Sequence, residues 1–384
     1  MNVYFDNAAT TCIDKEVLEA MMPYLENHYG NPSSTHAHGR VIKAAIEKAR
    51  KQVAELLGAS PAEIIFTSGG TESDNTAIRC SVFTKGIKHI ITSKLEHHAV
   101  LHTVEELEKA DLVTVTYLNF DEKGNVDLLQ LEEVLKTQHD VLVSLMHGNN
   151  EIGNLLDIER VARLCKEYRA FFHSDTVQTI GHFQLNLSDL DIDFIAASAH
   201  KFHGPKGVGI LYKNKNTQLN PFITGGNQER EMRGGTENVY GIVGLAKALE
   251  LSLANLETHK KHIENLKKQM IEKLKSSIEG IAFHGNSADI GNSLYTVLNI
   301  CLPESPANNM LLFNLDIAGI SASGGSACSS GALSGSHVIS ALRKSEISNK
   351  GVIRFSFSKY NTIEEVNYVC EKLNETLKVQ STAQ

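Results

Sequence analysis

Lys201 is a side chain whose surroundings in the sequence favour covalent chemistry. It follows the apolar, strand-like run 193–197 and precedes a glycine-rich turn that leads into a second apolar run, 208–212. A lysine at the end of a strand among small residues loses hydration, which favours a neutral amine. A neutral amine is what a Schiff base to an aldehyde cofactor requires. The alternative is a solvated surface lysine, the usual state of this residue type.

Asp175 ends a second short apolar run, residues 170–175, and Gln178 follows three residues later. Ligands of α/β proteins bind at the carboxyl ends of parallel strands. A carboxylate there could keep the ring nitrogen of pyridoxal phosphate protonated, so that the ring accepts electrons from a substrate. The alternative is that Asp175 caps the start of a helix.

Gly69 and Gly70 separate the apolar run 63–68 from the polar segment 71–75, which has the composition of a helix start. The free N–H groups and the positive dipole end of a helix bind anions, so this turn could hold a phosphate. The sequence has no G-x-x-x-x-G-K-[ST] run, which argues against a nucleotide P-loop. An ordinary strand-to-helix turn is the alternative.

Cys328 differs from the other cysteines in its surroundings. The six cysteines are widely spaced and form no C-x-x-C pair, so the sequence indicates neither a zinc site nor a disulfide framework. Cys328 lies in the segment 321–336, which consists almost entirely of small residues. This composition predicts a mobile loop, whose thiol could reach a buried cofactor and carry a group away from it. The alternative is a flexible linker with an incidental cysteine.

The elements that must position these residues alternate between strands and helices. From about residue 13 to residue 255, apolar runs at 87–91, 113–117 and 141–145 precede the runs that end at Asp175 and Lys201. This alternation predicts an α/β fold with a mainly parallel sheet covered by helices on both faces. A long polar amphipathic segment, 256–277, then leads into a smaller region rich in Gly, Ser and Asn.

The order of the sequence motifs resembles that of the class V pyridoxal-phosphate enzymes, which have fold type I. Within that class the chain is most similar to the cysteine desulfurases of the NifS/IscS-like group. Each motif alone is a weak signal, and their compatible spacing over nearly the whole chain makes the resemblance specific. The motifs are residues 4–11, 30–34, 67–75, 96–97, 149–153, 175–178, 198–201, 233–238 and 325–329.

The resemblance implies how the chain binds pyridoxal phosphate. Lys201 would form the Schiff base with the cofactor, Asp175 would pair with the ring nitrogen, and Gln178 would bond to the ring oxygen. His97 would stack on the ring and take part in proton transfer. Without the resemblance, His97 could equally be an ordinary surface or core histidine. The phosphate would be held by Gly70, Thr71, Ser198, His200 and, from the second subunit of a homodimer, Thr236.

The resemblance also implies the reaction. Arg354 would clamp the substrate carboxylate through two hydrogen bonds, and Asn150 would lie beside cofactor and substrate. Cys328, as a thiolate, would take the sulfur of L-cysteine as a persulfide and leave L-alanine. Without the resemblance, Arg354 lies in the alternating run 352–357, opposite its apolar positions, where a solvated arginine is also expected.

The resemblance further implies a large domain with a seven-stranded type of sheet, residues 13–255, and a smaller α+β domain. The small domain would combine residues 1–12 with residues 256–384 and carry the Cys328 loop. The active sites would lie at the interface of a homodimer, and the persulfide would pass to an acceptor protein. An iron–sulfur scaffold or a tRNA-thiolation protein are the acceptors that this chemistry suggests.

Composition excludes some function classes and leaves others open. The net charge of −8 argues against sequence-independent nucleic-acid binding, and the lack of a leader or a long apolar run argues against a membrane protein. Thiols without pairing motifs fit the reducing cytoplasm, and no metal site is expected. The rival interpretations are a class V aminotransferase or lyase, a selenocysteine lyase, and a non-enzymatic adaptor in sulfur or iron–sulfur assembly.

Overall fold

Strands and helices alternate along most of the computed structural model, which describes residues 1–324, 336–343 and 350–378 of the chain. The helices are α1 Lys15–Glu26, α2 Ala37–Leu57, α3 Gly70–Lys85, α4 His98–Lys109, α5 Leu128–Thr137, α6 Ile158–Glu167, α7 Val239–Ala254, α8 Leu256–Ser277, α9 Leu311–Ile317, α10 His337–Leu342 and α11 Ile363–Lys378. The strands are β1 Val3–Tyr4, β2 Ile64–Thr67, β3 His89–Ser93, β4 Thr114–Leu118, β5 Val141–Ser144, β6 Phe171–Asp175, β7 Phe194–Ser198, β8 Gly209–Lys213, β9 Ala282–Phe283, β10 Val297–Glu304, β11 Ile320–Ser321 and β12 Lys350–Ser356.

A mainly parallel sheet forms the centre of the larger part of the molecule. Within the described residues it has seven strands in the order β2-β8-β7-β6-β5-β3-β4. Strand β8 is antiparallel to both of its neighbours, and the pairs from β7 to β4 are parallel. The predicted α/β class with a mainly parallel, seven-stranded type of sheet is confirmed.

The central strands consist mainly of apolar residues because both faces of the sheet are covered. Every residue of β3, β5 and β7 is buried, as expected for parallel strands between two helical layers. One core packs α1, α2 and α7 against the sheet, and a second packs α3 and α4 against its other face. The two layers fix the strands, and with them the loops that leave their carboxyl ends.

A smaller part of the chain has its own hydrophobic core. An antiparallel sheet in the order β12-β10-β9 packs against α8 and α11. Val3 and Phe5 join this core, and β1 pairs with β11 in parallel. Two cores are what the predicted division at residues 13 and 255 requires, and the exact domain boundaries stay a prediction.

The described residues were also searched for membrane spans and metal sites. In that part of the chain, no single helix has the length and apolar character to cross a membrane, and α7 and α8 meet the criterion only as a pair bent by 72°. Among the same residues, no three His, Cys, Asp or Glu side chains lie where they could hold a metal ion.

Lys267 is a buried amine of the smaller core, and it makes the stability of the protein depend on pH. Its Nζ donates to Ser293 Oγ at 3.0 Å and to the carbonyl oxygen of Leu294 at 3.1 Å. Burial lowers the pKa of Lys267 from 10.5 to about 7. The unfolded chain therefore binds more protons than the folded one between these two pH values, so this group makes the folded state more stable as pH rises.

We expect the free energy of unfolding to rise by at most about 1.4 kcal/mol per pH unit from this group. Lys267→Met should remove this dependence of the unfolding free energy on pH. It should also lower the unfolding free energy by a pH-independent amount, because Ser293 Oγ and the Leu294 carbonyl oxygen lose their donor. Urea unfolding at several pH values above neutrality measures both effects. Lys268→Met, at the exposed neighbouring position, is the control and should keep the wild-type slope. A Lys267→Met slope equal to that of wild type would contradict the assignment.

Candidate active site

The carboxyl ends of five strands meet at one edge of the central sheet and surround a cavity of about 460 Å³. This is the size range of cofactor and small-molecule sites. The loops after β2, β3, β5, β6 and β7 each contribute residues to the cavity. Ten predicted site residues line it together: Gly70, Thr71, His97, Asn150, Asp175, Gln178, Ser198, His200, Lys201 and Arg354.

One end of the cavity is formed by the start of α3. Gly70 is the first residue of this helix, so its free N–H groups and positive dipole end face the cavity. A Cβ atom on Gly70 would lie 2.5 Å from Cγ2 of Val177, and a Cβ atom on Gly209 would lie 2.7 Å from Cα of Gly69. At Gly209 the clash would be with backbone atoms, so only glycine fits there, and at Gly70 any larger residue would displace the Val177 side chain. Together with Ser198 and Thr71, this cradle has the donors and the shape that a phosphate needs.

An ion pair connects the start of α3 with the segment that carries Thr236. Glu72 accepts a hydrogen bond from the backbone N–H of Ser68 at 2.8 Å, and its Oε1 lies 3.0 Å from Nε of Arg233. Thr236 itself is exposed and does not line the cavity of its own chain. Its predicted contact with the phosphate of a second subunit stays a prediction.

Lys201 lies in the short turn 199–201 after β7, with its amine against the backbone of the N-terminal segment. Nζ donates to the carbonyl oxygens of Ala8 at 2.6 Å and Ala9 at 2.9 Å. The side chain is half-buried and lines the cavity. The solvated-lysine alternative is therefore wrong, because the amine is held at the edge of the site.

Asp175 is the last residue of β6 and is 6% exposed at the floor of the cavity. Its Oδ1 accepts from the backbone N–H of Val177 at 2.9 Å. Turns rather than a helix follow it, so the helix-cap alternative is wrong. Burial raises the pKa of Asp175 to about 6, while the Val177 N–H and the Lys201 cation act in the opposite direction. A cation placed against this carboxyl group would stabilise the carboxylate further.

His97 and His200 are neutral imidazoles at the sides of the cavity. His97 caps α4, where its Nδ1 accepts from the backbone N–H of Ala99 at 3.1 Å, so the ring proton is on Nε2. Burial, followed by the Lys201 charge, lowers the pKa of His97 to about 4. The same two causes lower the pKa of His200 to about 4, and its Nδ1 lies 3.1 Å from Oγ1 of Thr10. Because both imidazole rings are uncharged, either ring can lie against an aromatic cofactor without the cost of burying a charge.

Arg354 is a buried cation in the wall of the cavity. It is 1% exposed, so the solvated-arginine alternative is wrong. Nη1 donates to the carbonyl oxygen of Asn150 at 3.0 Å, and Nη2 donates to Oδ1 of Asp6 at 2.9 Å. Its buried Nε has no hydrogen-bond partner among the described residues. A guanidinium with a donor to spare in a cavity wall is suited to a carboxylate ligand.

The N-terminal segment contributes residues that sequence reasoning did not assign. Asp6, Ala8 and Ala9 contact Arg354 and Lys201, and Gln178 also donates through Nε2 to the Ala8 carbonyl oxygen at 3.0 Å. The motif 4–11 marked the segment without giving its residues a role. Other lining residues without a prediction are Thr10, Ser68, Asp74, Met146, Val177, Lys206 and Gly207. Cys328 lies outside the described residues.

The residues present fit pyridoxal phosphate. The glycine cradle suits the phosphate, Asp175 suits a protonated ring nitrogen, and the Lys201 amine suits an aldehyde carbon. A neutral His97 and a buried Arg354 complete a site for an aromatic cofactor and an anionic substrate. The sequence predicted which residues would come together, and their individual roles stay predictions.

Comparisons with known proteins agree with this site. The family model of the class-V aminotransferases matches residues 3–369. A relative from Dictyoglomus turgidum, named cysteine desulfurase IscS, is 44% identical over 385 residues, which cover 99% of this chain and 96% of the relative.

Solved structures show the same fold over the whole chain. A protein described as NifS-like is 39% identical and has a TM-score of 0.90, with 99% of this chain and 100% of that chain covered. A structure described as SspA in complex with cysteine is 34% identical and has a TM-score of 0.80, with 94% and 100% covered. This chain belongs to the class-V aminotransferase family of pyridoxal-phosphate-dependent proteins, within its IscS- and NifS-like group.

Proposed function

We propose that this protein is a pyridoxal-phosphate-dependent cysteine desulfurase that converts L-cysteine into L-alanine and a protein-bound persulfide. The observation that carries the proposal is the single cavity that contains Lys201, Asp175, His97 and Arg354. Relatives named as cysteine desulfurases and a structural relative in complex with cysteine support the same substrate.

The cofactor, when bound, supplies an electron sink for the charge that develops at the α-carbon of the substrate. The protein would hold it at three places. The start of α3 would bind the phosphate, Asp175 would keep the ring nitrogen protonated, and His97 would lie against the ring as a neutral imidazole. Asp175 is buried, so water would be excluded from its contact with the protonated ring nitrogen, which would strengthen that contact.

Lys201 and Arg354 act on the substrate. Arg354 binds the carboxylate, which places the amino group and the α-carbon towards Lys201. Lys201 Nζ then takes the proton from the α-carbon as a general base. The Ala8 and Ala9 carbonyl oxygens accept hydrogen bonds from Nζ and so fix the direction of the amine.

Cys328 accepts the sulfur in this proposal, which rests on its sequence motif and on the needs of the chemistry. Its thiolate attacks the substrate sulfur, and a sulfur–sulfur bond forms while the carbon–sulfur bond breaks. The electron pair stays with the substrate carbon, which takes a proton and leaves as part of L-alanine. The persulfide is then passed to an acceptor protein.

The test is the purified protein with L-cysteine and a thiol reductant. We expect L-alanine and sulfide in equal amounts, together with an absorbance band of bound cofactor. Production of pyruvate, or a requirement for a 2-oxo acid, would instead identify a lyase or an aminotransferase. Turnover of L-selenocysteine alone would identify a selenocysteine lyase, and a protein without bound cofactor would leave only the adaptor interpretation.

We also propose a cytoplasmic homodimer that delivers sulfur to an iron–sulfur scaffold or a tRNA-thiolation protein. The exposed Thr236, tied to the phosphate end of the site through the Arg233–Glu72 pair, supports a contribution to a second subunit. Light scattering of the eluting protein measures the oligomeric state. A monomer with full activity would contradict the role of Thr236.

Replacing the substrate clamp should weaken substrate binding selectively. We expect Arg354→Lys to raise KM for L-cysteine by roughly ten- to a hundredfold, because a lysine cannot form the paired hydrogen bonds of a guanidinium. Cysteamine, which lacks the carboxylate, is the matched control, and its kcat/KM should be similar in wild type and variant. An equal loss with both compounds would mean that Arg354 acts on the structure rather than on the carboxylate.

A further inference from the structure

A chain of buried polar groups lies next to Asp175. Nδ1 of His173 lies 2.8 Å from Oγ of Ser144, and Nε2 of His173 lies 3.3 Å from Oδ1 of Asp74. His173 and Ser144 are inaccessible to solvent, and Asp74 is 1% exposed. Within the described residues, neither Oδ1 of Asp74 nor Nε2 of His173 has a hydrogen-bond partner, although the two atoms lie 3.3 Å apart. Each of these two atoms is therefore satisfied only if a proton lies between them.

The backbone places this chain on the same side of the sheet as the cofactor carboxylate. His173 and Asp175 are two residues apart on β6, so their side chains share one face. Asp74 reaches that face from the first turns of α3, and it lines the cavity together with Asp175. Asp74 thus contacts a histidine that can bind its proton and lies within electrostatic range of Asp175, a carboxyl group that competes for it.

The electrostatics decide which group carries the proton. Burial, then the charges of Asp175 and Glu96, raise the pKa of Asp74 well above its usual value. Burial lowers the pKa of His173 to about 3. Both directions favour an uncharged pair, in which the Asp74 carboxylic acid donates to Nε2 of His173 and Nδ1–H of His173 donates to Ser144.

Two further ionisable groups face this region. Glu96 is buried, and its oxygens accept from Ser93 Oγ at 3.1 Å and from the backbone N–H of Met146 at 2.8 Å. Lys201 contributes positive charge on the cavity side and favours ionised Asp175. The neighbours of Glu96 thus satisfy its oxygens, whereas Oδ1 of Asp74 depends on His173.

We propose that Asp74 is a positioning residue of the cofactor site, which acts as a neutral acid bonded to His173. It retains the proton that two adjacent carboxyl groups would otherwise share, and Asp175 remains the carboxylate that meets the ring nitrogen. This inference rests on the cofactor of the proposed function. It adds a role for Asp74, His173 and Ser144, which do not act on the substrate themselves.

The test is a double-mutant cycle with a readout that is independent of catalysis. The affinity for pyridoxal phosphate is measured against pH in wild type, Asp74→Asn, His173→Phe and the double variant. Asparagine resembles a protonated aspartate and can donate to His173, so Asp74→Asn should keep the wild-type profile. His173→Phe removes the acceptor, lets the proton distribute over Asp74 and Asp175, and weakens cofactor binding roughly tenfold near neutral pH.

The double variant has no acid at position 74 to share the proton with Asp175 and should recover most of that loss. Ser81→Ala, a buried change on the same helix that leaves the histidine pair intact, is the control for packing effects. A His173→Phe protein with wild-type affinity, or a double variant as weak as His173→Phe, overturns the proposal. If His173→Phe weakened cofactor binding through a general packing defect, the additional Asp74→Asn substitution would not restore it.

Nitrogen NMR of histidine-labelled wild-type holoenzyme gives a second test that needs no destabilised variant. The imidazole whose signals move in Asp74→Asn should stay neutral, with the proton on Nδ1, across the range of pH in which the protein is folded. A doubly protonated ring would overturn the proposal, because it would mean an ionised Asp74. A protein that binds the cofactor but makes no L-alanine would refute the desulfurase and leave this inference standing, whereas failure to bind the cofactor would refute both.

Discussion

Lys201→Ala is expected to lower the rate of L-alanine formation by about 10³-fold or more, because one amine both holds the cofactor and moves the substrate proton. Lys201→Arg should be equally inactive, since a guanidinium keeps its charge and cannot act as a base. The protein should remain folded, because Lys201 is a half-buried residue at the edge of the cavity and the change leaves both hydrophobic cores intact. Chromatography of alanine and the absorbance of the bound cofactor measure the two effects separately.

The exposed residue Lys48 provides the control for loss of a lysine. Lys48→Ala should retain the wild-type rate and the wild-type cofactor band. The assignment of Lys201 would be refuted by a Lys201→Ala protein that keeps the cofactor band and turns over L-cysteine within a few-fold of wild type. Loss of folding in circular dichroism would show that the amine is needed for structure, and Lys201→Arg would then decide the catalytic role.

Cys328→Ser is expected to abolish sulfur transfer, with a loss of about 10²-fold or more in L-alanine formation. A serine hydroxyl is not ionised near neutral pH and cannot accept sulfur as a persulfide. The variant should still bind the cofactor and still change its absorbance when L-cysteine is added. Mass spectrometry of the protein after turnover should find one extra sulfur atom on wild type and none on the variant.

Cys12→Ser is the matched control, because Cys12 is an exposed thiol outside the cavity. It should leave both alanine formation and persulfide labelling unchanged. If Cys328→Ser kept the wild-type rate, the cysteine would be incidental and an aminotransferase or lyase would be the better interpretation. If Cys12→Ser removed the extra sulfur, the acceptor would have been assigned to the wrong residue.

The sequence predicted those parts of the site that depend on local patterns. Apolar runs followed by polar or glycine residues located the ends of β2, β6 and β7, and parallel strands bring such ends to one edge of a sheet. The positions of Gly70, Asp175 and Lys201 followed from this rule. Their grouping in one cavity was implied by the family resemblance, and the strand order of the structure explains it.

Contacts between distant parts of the chain could not be predicted in this way. The alternation of 352–357 placed Arg354 opposite the apolar positions, yet that face of β12 is covered by Asp6 and by the loop that contains Asn150. The role of Asp74 depends on a histidine 99 residues away. No local pattern signals either contact, since each arises only when α3, the N-terminal segment and the two sheets pack together.

The N-terminal segment links the two hydrophobic cores. Strand β1 pairs with β11 and Phe5 packs in the smaller core, while Thr11 N–H donates to the His200 carbonyl oxygen beside Lys201 at 2.9 Å. Between these two attachments lie Asp6, which pairs with Arg354, and the carbonyl groups that hold the Lys201 amine. The segment therefore couples two parts of the site: any rotation of one core against the other would change the position of Arg354 and the orientation of the Lys201 amine together.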